Sequence, residues 1–112
     1  MISEELRQRL LRDPLPQQLG ALASDLARIA SWSDNPRNHE VVASLLKEGK
    51  WFAEWIAPQA PLETQVVLLD IQRALVQWER GWSCGVPVPT MRADAERKSE
   101  ELLELAGLVQ EK

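Results

Sequence analysis

The chain has 112 residues, 45% of them hydrophobic and 27% charged, with 17 acidic and 13 basic side chains. That is the size of one domain, too apolar for a disordered chain and long enough to bury a core without covalent staples. One cysteine excludes an internal disulfide and multi-cysteine zinc sites, a net charge of −4 offers no footprint for nucleic acid, and no apolar run reaches the ~18 residues needed to cross a bilayer.

The acidic start, Met1-Ile2-Ser3-Glu4-Glu5, differs from a secretory leader, which is basic and then apolar, so a cytoplasmic protein is expected. All seven prolines (14, 16, 36, 58, 61, 87 and 89) fall between stretches of helical periodicity, where they break no interior turn. Five helical segments remain, at approximately 4–12, 17–32, 36–57, 61–80 and 91–110.

Segment 4–12 is a short leading helix that Ser3 can cap, with Glu4 and Glu5 at its positive end. In 17–32, Leu19, Leu22, Ala23, Leu26, Ile29 and Ala30 form one stripe, leaving Ser24, Asp25 and Arg28 off it. Asp34 or Asn35 can cap the next segment as Pro36 enters its first turn, and Val42, Leu45, Leu46, Phe52, Ala53 and Ile56 share one side of it. Segment 61–80 aligns Val67, Leu68, Ile71, Ala74, Leu75 and Trp78, and Gly81 is placed to end it in a left-handed conformation. Val86-Pro87-Val88-Pro89 alternates, but two prolines make it an extended connection and not a paired strand. Thr90 can cap the last segment, where Met91, Ala95, Lys98, Leu102, Leu105 and Val109 make a narrow seam suited to one neighbouring helix. The pattern predicts an all-α fold. Residues 1–112 form a single domain, an antiparallel bundle of four main helices plus a short N-terminal helix.

No residue set reads as catalytic or metal-binding, and no cofactor is expected. His39 has Pro36 and Val42 three positions away, not the carboxylate or histidine that a metal site in a bundle needs, so it reads as a surface or boundary side chain. Cys84, in Trp82-Ser83-Cys84-Gly85, follows the negative end of a helix, which opposes a thiolate. Gly81 and Gly85 come after a helix and lack the spacing of a phosphate-cradling loop. Glu40, Glu48, Glu54, Asp70 and Glu79 belong to no motif and read as solvated or salt-bridged. Glu96, Glu100 and Glu104 form an acidic ridge on the last helix, read as an outer face.

Tryptophan is the departure from a bland helical protein: the chain has five, and no tyrosine. Trp78 falls on a core stripe, whereas Trp51 projects about 150° from the apolar stripe of its helix, with Trp55 one turn further on. Either another part of the chain covers them, with Trp82 and the 86–89 loop as the candidate cover, or a second molecule does. Independently, segment 61–80 carries Leu62, Val66, Leu69 and Val76 opposite its core stripe, alongside Arg73 and Arg80. A helix apolar on two faces is either the centre of the bundle or a contact between molecules. These features predict a non-enzymatic interaction module acting as a homodimer or through a protein partner, with Trp51, Trp55, Leu62, Val66, Leu69, Arg73 and Val76 at the interface. The alternative is a small-molecule binder or enzyme with an apolar bundle cavity lined by His39, Trp55, Trp78, Trp82 and Cys84. Neither nucleic acid binding nor membrane insertion is expected.

Overall fold

A computed structural model describes residues 4–110, with side chains as far as Gly107. The Ser3 cap and the side chain of Val109 lie outside the described residues. Five helices follow in order: α1 (Glu4–Arg12), α2 (Leu15–Trp32), α3 (His39–Ile56), α4 (Leu62–Ser83) and α5 (Met91–Gln110). Short 3-10 turns at Pro36–Asn38 and Ala57–Gln59 lead into α3 and out of it, and no strand occurs among the described residues. Pro14 and Pro61 occupy the N-cap positions of α2 and α4, where a missing N–H costs nothing. The Asn35 side chain accepts a hydrogen bond from the Arg37 amide at 3.0 Å, capping the 3-10 turn that precedes α3.

The middle of the bundle is α2. One flank packs along α5 and the other along α3; α3 then packs on α4, while α4 and α5 touch only lightly. Leu19, Leu22, Leu26 and Ile29 are fully enclosed as a result. Small residues lie buried where α2 and α5 meet, Ala23 on one helix and Ala95 and Ser99 on the other, and the Ser99 hydroxyl donates to the Ala23 carbonyl at 2.8 Å. The seam of α5 is the contact, with Met91, Ala95 and Leu102 buried. Its lysine is accommodated because the Lys98 ammonium crosses to Asp70 on α4, at 2.7 Å. On the other side of α4, Lys50 of α3 holds Glu79 at 2.6 Å.

The end of α4 departs from expectation. Gly81 is helical, and the helix runs on to Ser83. Gly85 is the residue with positive φ, at 78°. The Gly85 amide donates to the Trp82 carbonyl at 3.2 Å and the Val86 amide to the Gly81 carbonyl at 2.8 Å, the paired bonds of a Schellman terminator. Gly81 serves a different need: a Cβ there would sit 2.6 Å from the Val86 carbonyl oxygen, where the chain folds back over the helix. This return also fixes Trp82, whose indole N–H donates to the His39 carbonyl at 2.9 Å while its ring stacks on the imidazole at 4.9 Å.

Candidate association surface

The outer face of α4 carries an apolar stripe that, among the described residues, no other helix packs over. Leu62 is 73% exposed, Val66 62%, Leu69 49% and Val76 39%. The inner face of the same helix buries Thr64, Leu68, Ile71, Leu75, Trp78 and Trp82, so the two sets lie on opposite sides of one rod. The central position in the bundle belongs to α2, and α4 stands at its edge. Positions 62, 66, 69, 73, 76 and 80 recur at four and three residues, the period of a helix–helix seam, and Arg73 and Arg80 are the polar members. The Lys50–Glu79 and Asp70–Lys98 ion pairs border the stripe on its two sides. Asp70, Gln72, Arg73, Ala74, Val76 and Gln77 line an open groove of about 560 Å³ on this helix. Such a groove can take side chains from an opposing surface.

The exposed parts of the four aliphatic residues amount to roughly 400 Å², within the range of about 300–600 Å² that the largest patches on monomers reach, often as contact sites.

The indoles expected to extend this surface lie elsewhere. Lys50 faces α4, and Trp51 and Trp55 project about 100° and 140° away from it around α3, so they do not continue the stripe. Both are half-buried. Trp55 joins the edge of the core and packs obliquely on Phe52, with ring centroids 6.1 Å apart. The expected cover from Trp82 and the 86–89 loop is not formed, because Trp82 is anchored at His39, some 18 Å along α3 from Trp51.

The residues grouped as a possible ligand pocket are likewise dispersed. His39 and Trp82 stack together, but Trp55 lies about 24 Å from His39 along α3. Trp78 is 2% exposed within the core, and Cys84 is exposed at the end of α4. Among the described residues no group of three histidine, cysteine or carboxylate side chains is placed to hold a metal ion. No described helix is long and apolar enough to cross a membrane.

One polar feature escapes the periodicity. Asp25 lies off the α2 stripe by angle, yet it is 2% exposed, because α2 is enclosed on two flanks and its buried arc is wider than the stripe. Burial raises the Asp25 carboxyl to about 9, aided by a hydrogen bond and by repulsion from Glu48 on α3, and opposed by the nearby Arg28. The Arg28 guanidinium stands 3.4 Å from the Asp25 Oδ1. At neutral pH Asp25 is therefore protonated and donates to the Glu48 carboxylate, a proton-bridged acid pair between α2 and α3. The only sequence hint is an acid at the rim of an otherwise apolar arc.

Comparison with protein-family models, with curated proteins and with solved structures finds no match to this chain.

Proposed function

We propose that this protein is a non-enzymatic interaction module that works by self-association through the outer face of α4. The observation that carries this reading is the exposed stripe Leu62, Val66, Leu69 and Val76 on a helix whose opposite face is already packed in the core. An aliphatic row of this length gains free energy by leaving water, and none of the described residues is laid over it. Arginines set among aliphatic side chains match the composition of association surfaces. With its flanking polar atoms, the face of a 22-residue helix would bury about 600–800 Å² per copy, at the low end for stable complexes, so a reversible dimer is expected.

Paired surface variants test this. Leu69→Glu puts a charge in the middle of the stripe, whereas Leu103→Glu changes an equally exposed leucine on α5. Light scattering should find dimer for the wild type and for Leu103→Glu, and monomer for Leu69→Glu. Indistinguishable masses for all three proteins would remove α4 as the contact.

A further inference from the structure

Resting on that reading, we infer that the partner is a second copy of this chain whose α4 runs antiparallel to the first, about a two-fold axis level with residue 71. Charge placement along the stripe carries the orientation. Glu63 and Asp70 flank the N-terminal half of α4, while Arg73 and Arg80 stand in the C-terminal half, whose one carboxylate, Glu79, is held by Lys50 on the other flank. An antiparallel pairing centred between Leu69 and Arg73 brings Val66 opposite Val76 of the second copy and Leu62 beside the aliphatic stem of Arg80. The same register sets Glu63 level with Arg80, and Asp70 level with Arg73, to within about 1.5 Å along the axis. Two-fold symmetry makes each of these attractions twice. Asp70 has room for this role, since its side chain is 67% exposed even while it holds Lys98.

A parallel pairing has the opposite electrostatics. Every residue then meets its own copy, which stacks Arg73 on Arg73 and Arg80 on Arg80 inside an apolar seam. Like charges placed face to face disfavour that arrangement, and the open groove beside Arg73 gains no oppositely charged side chain. The aliphatic stripe thus supplies attraction between copies, and the charge gradient along α4 selects one of the two directions.

The single exposed cysteine lets the wild-type protein report its own geometry. Cys84 caps the C-terminus of α4, one turn beyond Arg80. Nitroxide labels there are expected about 40 Å apart in the antiparallel dimer, since each lies 13 residues from the axis, and under about 20 Å apart in a parallel one. Pulsed dipolar spectroscopy on a sample whose mass is measured in parallel separates the outcomes. A dimer with the long separation supports the inference. A dimer with the short separation overturns the orientation and leaves self-association standing. A monomeric mass with no dipolar coupling overturns both. As a second measurement, Arg80→Glu should weaken the dimer roughly tenfold, because two symmetric attractions become repulsions, and adding Glu63→Arg should restore it. Failure of the double variant to recover would contradict the antiparallel register.

Discussion

Replacing Asp25 with asparagine should abolish the fall in stability that this carboxyl causes as pH rises. The carboxyl titrates near 9 in the folded protein, against 3.8 in a free aspartate, so the native state holds a proton that the unfolded chain releases. Stability from this group is therefore complete below about pH 4 and is lost as pH rises towards 9. The slope is at most about 1.36 kcal/mol per pH unit for one proton, so the wild type should lose up to about 4 kcal/mol between pH 5.5 and 8.5. That is a large share of a total stability of order 5–15 kcal/mol. Asparagine keeps the shape and donates an amide hydrogen to the Glu48 carboxylate with no proton to surrender. Asp25→Asn should match the wild type near pH 5.5 and exceed it by roughly 2–4 kcal/mol at pH 8.5. Urea unfolding of both proteins across this range measures the two slopes. Parallel slopes, or a variant weaker than the wild type throughout, would refute the proton-bridged pair.

Further outcomes follow from single contacts. Gly81→Ala should cost about 1–3 kcal/mol in chemical denaturation, because the new methyl meets the Val86 carbonyl at 2.6 Å and the backbone must shift. Gly85→Ala should cost about 1–2 kcal/mol for a different reason, the positive φ of 78° that an L side chain resists. Leu75→Ala, in the core beneath Gly49, should lose about 2–5 kcal/mol. Trp82→Phe removes the hydrogen bond to the His39 carbonyl and should lose about 1 kcal/mol, seen as a lower urea midpoint.

The helices and their core faces were legible because proline positions and a 3.6-residue period report local geometry. Most of the α2, α3 and α4 stripes and Met91, Ala95, Lys98 and Leu102 of the α5 seam are buried, while Ala30, Val67, Ala74 and Leu105 are half-buried at the edge of the core. What periodicity misses is how widely a helix is enclosed. Asp25 sits beside the α2 stripe, and only the packing of α3 on that flank takes it out of water. Trp51 poses the converse problem: its angle points away from the core, yet neighbouring structure half-covers it. The left-handed terminator of α4 was misplaced by four residues, and the helix end by three, because Gly81 and Gly85 are alike as letters. The returning Val86 carbonyl decides which glycine is left-handed and which merely gives room. The second face of α4 was visible in the sequence, whereas its place at the bundle's edge depends on α5 pairing with α2.

Sedimentation equilibrium of the unmodified chain, from low micromolar to several hundred micromolar, addresses self-association without any substitution or label. The weight-average mass should climb from 12.7 kDa towards twice that value as concentration rises, and fall back on dilution. A mass that stays at 12.7 kDa over the whole range would leave the α4 face bare in solution and contradict the proposed function.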